Sequence, residues 1–316
     1  MAEALVERLD RTVDVILIRG DATAALADPE LAPLARMANE LRFCPSPAFK
    51  ARLRRQLERK KTMPMVLEDV KVREGFTTVT PYLQVTDSGL FDFLAAVFGA
   101  VETERATTPH GLHREVRIGD SMLMIGEAES TGPAHAPGAF HVYVPDVDAT
   151  FERAIAAGAT SLGDPADRPY GERAGFIQDA WANHWYIATH LGTSHVQPGL
   201  RTVTPFIHPR GVAAYIEFLK HAFSAVEEFR HEANGVIMHA RIRIGNAAIE
   251  MGDTQGQAEP MPSGFYLYVA DCDALYQQAI AAGATSIYPP TDMWYGDRSG
   301  AVKDSQGITW SIARPA

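Results

Sequence analysis

Ala154-Ile-Ala-Ala-Gly-Ala-Thr-Ser161 recurs unchanged as Ala279 to Ser286, 125 residues further along the chain. Eight identical residues at one offset mark a duplication, and the same register extends outward from them. Tyr170-Gly171 matches Tyr295-Gly296, Arg173 matches Arg298, Asp179 matches Asp304, Trp185 matches Trp310 and Ile187 matches Ile312. Upstream, Thr78-Val-Thr-Pro81 returns as Thr202 to Pro205, and Arg117-Ile-Gly119 returns as Arg243-Ile-Gly245. Each copy covers roughly 115 residues, a domain-sized length.

A shorter period lies inside each copy. Val85 to Gly99, Val144 to Gly158 and Val269 to Gly283 are each 14 residues apart, and Pro209 to Ser224 runs one longer. In each, a short apolar strand leads into an amphipathic helix that stops at a residue suited to a left-handed C-terminal cap. The first helix is expected to bury a stripe of Phe91, Leu94, Ala95 and Phe98 at i, i+3, i+4, i+7. Short alternating stretches follow, His113 to Ile118, Ser121 to Ile125, His239 to Ile244 and Ala247 to Met251, separated by Gly119-Asp120 and Gly245-Asn246 turns. The expected fold class is α+β, with tandem βαβββ units. The expected boundaries are a helical N-terminal extension over residues 1–75 and two domains over 76–192 and 200–316, with Leu191 to Leu200 as linker.

The extension lacks the duplication. Ser46 suits an N-cap and Pro47 the first position of a helix over Phe49 to Lys61, whose narrow stripe is Phe49, Leu53 and Leu57. Lys50, Arg52, Arg54, Arg55, Arg59, Lys60 and Lys61 surround that stripe, so the helix either docks as a solvated arm or contacts an acidic protein partner.

Composition narrows the function classes. The chain has 316 residues with 46% hydrophobic and 22% charged, an ordinary globular mix. Its net charge of −10 repels phosphate backbones, so nucleic acid is not expected as a partner. Only Cys44 and Cys272 are present, with no C-x-x-C, which excludes a disulfide framework or a cysteine zinc site and suits a reducing cytoplasm. No run of 18 apolar residues occurs, and the first twenty residues carry six charged side chains between Glu3 and Asp14, so neither export nor membrane insertion is expected. G-x-S-x-G, Walker A and G-x-G-x-x-G patterns are all absent.

Four βαβββ units in two tandem pairs resemble the vicinal oxygen chelate superfamily, and within it the PhnB-like, glyoxalase and bleomycin resistance branch. The stretches that carry the resemblance are Thr78 to Leu83, Arg117 to Ser121, Tyr170 to Arg173 and Asn183 to His190, with Met238 to Ala240, Arg243 to Gly245, Trp294 to Arg298 and Trp310 to Ala313 in the second copy. The resemblance covers about residues 76 to 316 and implies sheets curved round a cavity. It also implies, for metal-dependent members, ligands at four strand positions. Carried over, those positions are Thr80, Met124, His141 and Tyr186 in the first copy and Thr204, Glu250, Tyr266 and Ser311 in the second. If each copy closes its own cavity, neither has more than one plausible ligand. If the copies exchange units, Thr204 and Glu250 meet His141 and Tyr186, while Thr80 and Met124 meet Tyr266 and Ser311.

These residue types favour orienting a flat organic molecule over holding an ion. The leading expectation is a protein that binds a small, partly aromatic molecule with no cofactor. Trp181 and Trp294 are added as pocket candidates, and Trp185 and Trp310 are assigned to the core. His113 and His239 occupy equivalent strand positions and read as packing or surface residues. Arg173 and Arg298 read as structural ion pairs. Two alternatives stand beside this: a lyase or related enzyme with a divalent metal on His141 and Glu250, and an interaction scaffold acting through the basic helix. A homodimer is compatible with all three.

Overall fold

The computed structural model describes residues 72–128, 136–253 and 260–315. The helix expected over Phe49 to Lys61 and its basic face lie outside the described residues, and the stretch from Val72 to Gly75 ends in a turn and contains no helix. Among the described residues there are four βαβββ units. The first is β1 (Val79–Val85), α1 (Gly89–Phe98), β2 (Val101–Thr108), β3 (Gly111–Ile118) and β4 (Ser121–Ala128). The second is β5 (Ala139–Tyr143), α2 (Val147–Ala156), β6 (Thr160–Arg168), β7 (Glu172–Gln178) and β8 (His184–His190). The third is β9 (Val203–Ile207), α3 (Val212–Phe223), β10 (Val226–Ala233), β11 (Val236–Ile244) and β12 (Ala247–Met251). The fourth is β13 (Gly264–Tyr268), α4 (Cys272–Ala281), β14 (Thr285–Asp292), β15 (Arg298–Lys303) and β16 (Thr309–Arg314).

The units exchange partners between copies. Sheet I has the order β10-β11-β12-β9-β5-β8-β7-β6, joining the second unit to the third, and sheet II has the order β14-β15-β16-β13-β1-β4-β3-β2, joining the first to the fourth. The seams are antiparallel: β5 meets β9 with His141 opposite Thr204, and β1 meets β13 with Thr80 opposite Tyr266.

The apolar cores, by contrast, follow the copies. Leu90, Leu94 and Val97 of α1 and Val147, Phe151 and Ala154 of α2 pack with Leu83, Leu123, Phe140 and Trp185 from strands of both sheets. The second copy repeats this with Ile216, Leu219 and Phe223 of α3 and Leu275, Tyr276 and Ala279 of α4 around Ile242, Phe265 and Trp310. Helices of one copy therefore lie between the two sheets, and each sheet keeps its other face free of them. In α1 the most buried positions are Leu90, Phe93, Leu94 and Val97, with Phe91 and Phe98 packed at the edges. The buried face is thus broader than the expected Phe91-Leu94-Ala95-Phe98 stripe and rotated from it, because a helix between two sheets meets apolar neighbours on more than one side.

Local chemistry fixes the ends. Asp146 accepts from Ala149 N and Asp271 from Ala274 N, capping α2 and α4 alike, and Gly99 closes α1 at φ +68°. The copies also grip each other through turns. Thr78 N donates to Asn246 Oδ1 at 2.7 Å, and Thr202 N donates to Asp120 Oδ1 at 2.8 Å. Two buried carboxylates anchor the loops before the last strand of each copy: Asp179 accepts from Trp181 N, from Asn183 N and Nδ2 and from Trp185 Nε1, and Asp304 accepts from Gln306 N, Ile308 N, Trp310 Nε1 and Tyr215 Oη. Among the described residues no helix is long and apolar enough to cross a membrane.

Candidate functional site

Strand alternation decides which side chains reach the helix-free face of sheet I. Phe140 and Val142 point into the first core, so their neighbour His141 points the other way, as does Tyr143 beyond it. Trp185 and Ile187 do the same for Tyr186, and Ile249 and Met251 for Glu250. Unit exchange then places His141, Tyr186, Thr204 and Glu250 on one face, the second of the two arrangements open to the sequence.

His141 and Glu250 touch, with Nδ1 2.9 Å from Oε2. The other ring nitrogen, Nε2, lies 3.4 Å from Glu172 Oε2, so the imidazole sits between two carboxylates. Glu172 also accepts from Tyr143 Oη at 2.7 Å, whose ring stacks on His141 at 4.3 Å. Glu250 contacts a second histidine, His239 Nε2, at 3.1 Å from Oε1. The array runs His239, Glu250, His141, Glu172, Tyr143. Burial works against the charge on His141, but its bonds to Glu172 and Glu250 outweigh that and lift its pKa to about 9. Burial likewise opposes ionisation of Glu250, and the two histidines overcome it, holding the carboxyl down to about 2. At neutral pH the array is thus an imidazolium between carboxylates, with both carboxylates buried to 3% exposure or less.

Around this array stands an aromatic surface. Tyr186 packs on Phe206 at 5.1 Å and edge-on against Phe176 at 5.0 Å, and Phe206 lies parallel to His239 at 6.0 Å. Tyr186 Oη is 2.6 Å from His208 Nε2; burial keeps His208 below its usual pKa, so the neutral ring accepts from the hydroxyl. Phe176, Tyr186, Phe206, His208 and His239 are half-buried, leaving ring faces open. Arg168 lies over the Phe176 ring at 4.9 Å with its Nε buried and without a hydrogen-bond acceptor, while Arg241 Nε faces Glu228 Oε2 at 3.4 Å.

Sheet II carries the remaining strand candidates. Thr80, Met124 and Tyr266 are buried there and Ser311 half-buried; Tyr266 Oη donates to Asp297 Oδ2 at 3.1 Å, and Met124 packs with Phe76, Met122 and Tyr268. Trp181 joins neither face. Its Nε1 donates to Asp87 Oδ1 at 2.9 Å, and its ring rests on Phe93 of α1 on the helix side. Trp294 is 65% exposed beside Tyr295 at the β14–β15 tip. Trp185 and Trp310 are fully buried. Arg173 pairs with Asp148 and Asp167, and Arg298 with Asp273 and Asp292.

Glu172, Tyr143 and His239 escaped the sequence reading as site residues. Glu172 is the third residue of the quoted Tyr170 to Arg173 stretch, and the signal that could have found it is its counterpart Asp297, an acid in the same register. His239 and His113 occupy equivalent strand positions, yet the two differ: His239 bonds Glu250, whereas His113 lies 3.8 Å from Glu115 and edge-on to Tyr82.

The superfamily resemblance implies a divalent metal at these strand positions, and the donor set does not fit one. Tyr186 and Thr204 are poor ligands as neutral hydroxyls, and both nitrogens of His141 face carboxylates, Nδ1 towards Glu250 and Nε2 towards Glu172. Among the described residues no group of three or more His, Cys, Asp or Glu side chains is disposed to hold a metal ion.

A family model described as Glyoxalase/Bleomycin resistance protein/Dioxygenase superfamily matches residues 89–187 and 210–312. "Uncharacterized protein Rv0887c" of Mycobacterium tuberculosis is 33% identical over 144 residues, covering 40% of this chain and 85% of that protein. "Putative glyoxylase CFP32" of Mycobacterium bovis is 25% identical over 254 residues, 74% of this chain and 93% of its own. Among solved structures, glyoxalase I from Zea mays superposes with a TM-score of 0.61 at 11% identity, covering 75% of this chain and 92% of the maize chain, a likeness of fold.

Proposed function

As the chain belongs to the glyoxalase/bleomycin resistance protein/dioxygenase superfamily, we propose that it binds a small, partly aromatic molecule on the helix-free face of sheet I, without a metal ion. The observation that carries this reading is the occupation of both His141 nitrogens by carboxylates beneath half-buried aromatic rings. Such a surface offers ring faces for a flat ligand and fixed charges for orienting it. The buried Nε donor of Arg168 favours a ligand with a hydrogen-bond acceptor.

The test is a thermal-shift screen of planar, moderately apolar compounds, since a ligand selective for the folded state raises the melting temperature. Hits should lose their shift in Phe206→Ala and keep it in surface variants remote from this face. A library that gives no shift, while an acidic protein partner binds the full chain, would favour the scaffold reading. The approach of His141 to Glu250 favours one alternative, a divalent-metal lyase. Elemental analysis and calorimetric titration with nickel, zinc, manganese and iron(II) separate the two. Tight one-to-one binding lost in both His141→Ala and Glu250→Ala would replace the metal-free reading.

A further inference from the structure

The segments that enter the two copies share a pattern, Val72-Arg-Glu-Gly-Phe76 and Val196-Gln-Pro-Gly-Leu200, 124 residues apart. Each turns at a glycine of positive φ, +84° at Gly75 and +86° at Gly199. Each turn is closed by an equivalent backbone bond, Phe76 N to Arg73 O at 3.0 Å and Leu200 N to Gln197 O at 3.1 Å. Each lays its second side chain on a tyrosine hydroxyl of the helix-free face: the Gln197 amide lies 3.0 Å from Tyr143 Oη, and Arg73 Nη2 donates to Tyr268 Oη at 3.3 Å. Both segments are therefore straps across one end of a sheet face.

The straps differ in charge. On sheet I the strap residue is neutral, and Arg241 stands at the strand position that corresponds to Glu115. On sheet II the strap places a guanidinium against buried Glu115, with a second bond to Glu104 at 3.0 Å and with the cation 4.6 Å from the Phe76 ring centroid. Tyr266 and Tyr268 stand 5.0 Å apart beside it, and Asp297 supplies another carboxylate through Tyr266. Carboxylates with aromatic faces are the elements that recognise an organic cation. Beyond Glu115 the face continues past His113 into a small pocket lined by Tyr82, Gln84, Leu112, His113 and Gly126, room for an apolar stem.

We propose that the helix-free face of sheet II is a binding site for an organic cation, a guanidinium or amine on a short apolar stem, and that Arg73 occupies it in cis. Glu115 is about 5% exposed, so removing its cation leaves a buried charge that an external cation would neutralise. The site becomes available when the Val72 to Phe76 strap lifts. This inference is independent of the reading of sheet I.

Full-length Arg73→Ala, examined by thermal melting and calorimetry with ethylguanidinium chloride at about 10 mM, too dilute to denature, tests it. The variant should melt below the wild type, bind ethylguanidinium saturably and recover part of the lost melting temperature, while the wild type shows neither binding nor shift. Adding Glu115→Gln to Arg73→Ala should weaken that binding by about tenfold or more. Arg73→Gln, which copies the strap of the first copy, serves the same purpose if the alanine variant does not fold. Absence of saturable binding in the folded variant, equal shifts in variant and wild type, or binding insensitive to Glu115 would each overturn the proposal.

Discussion

His141 Nδ1 and Glu250 Oε2 lie 2.9 Å apart although 109 residues separate them in the chain, because β9 alone stands between β5 and β12. The contact exists only through unit exchange. His141 comes from the first copy, Glu250 from the second, and a sheet closed within one copy could not bring them together. Site assembly and pairing of the two copies are therefore one event.

That coupling has a pH signature. His141 is raised from 6.5 to about 9, so its stabilising contribution is complete below pH 6.5 and is lost as pH climbs through 9. Glu250 is lowered from 4.5 to about 2, so its contribution is complete above pH 4.5 and is lost as pH falls towards 2. Both are present together between about pH 4.5 and 6.5. Urea unfolding should show the wild type more stable than His141→Gln at pH 6, with the gap narrowing by pH 9.5. An unchanged gap would mean that His141 is not cationic in the fold.

Asp179 and Asp304 each accept at least one indole and two backbone donors in near-complete burial, so truncating either strands several donors at once. Asp179→Ala and Asp304→Ala should each cost on the order of 3 kcal/mol in chemical denaturation. The asparagine variants should cost less, since the remaining side-chain oxygen can keep some of those bonds. Equal costs for alanine and asparagine would show that the carboxylate is not what holds the loop.

The unit structure was legible in the sequence because it depends on local signals: the Ala154 to Ser161 repeat, the helix stops at Gly99, Gly158 and Gly283, and the turns at Gly119 and Gly245. The pairing of units was not, because Thr80 and Thr204 sit in the same Thr-Val-Thr-Pro sequence, and a strand edge carries no label for its partner. Nor could the side chains that complete the site be read from strand position alone. Glu172 begins β7, which β8 separates from β5, yet its Oε2 lies 3.4 Å from His141 Nε2. The aromatic character of Trp181 suits a pocket wall, whereas its indole N–H finds Asp87 beside α1, a partner 94 residues away.

The turns that lock the copies together should tolerate no side chain. A Cβ on Gly245, at φ +56°, would stand 2.2 Å from Thr78 Oγ1, and one on Gly119, at φ +57°, would stand 2.3 Å from Thr202 Oγ1. Gly245→Ala should therefore destabilise by about 1–3 kcal/mol, combining backbone strain with the clash. Adding Thr78→Ala relieves the clash and leaves the strain, so the double variant should recover part of the loss. A fully additive pair, measured by a double-mutant cycle, would show that the two residues do not meet.

The location of ligand binding can be separated from fold stability by two aromatic substitutions. Phe206 stands on the helix-free face of sheet I between Tyr186, His208 and His239, and a ligand stacked there would lose a wall in Phe206→Ala. Trp181 lies on the opposite side of the sheet, bonded to Asp87 and packed on Phe93, so Trp181→Phe should leave ligand affinity unchanged while lowering the melting temperature slightly. Losing one base-sized stacking contact costs about 1 kcal/mol, so affinity in Phe206→Ala should fall by about fivefold or more. Calorimetric titration of a hit from the thermal-shift screen into both variants reads the difference. Weakening in Trp181→Phe with none in Phe206→Ala would move the binding surface to the helix side, where α1 meets the Asp179 loop.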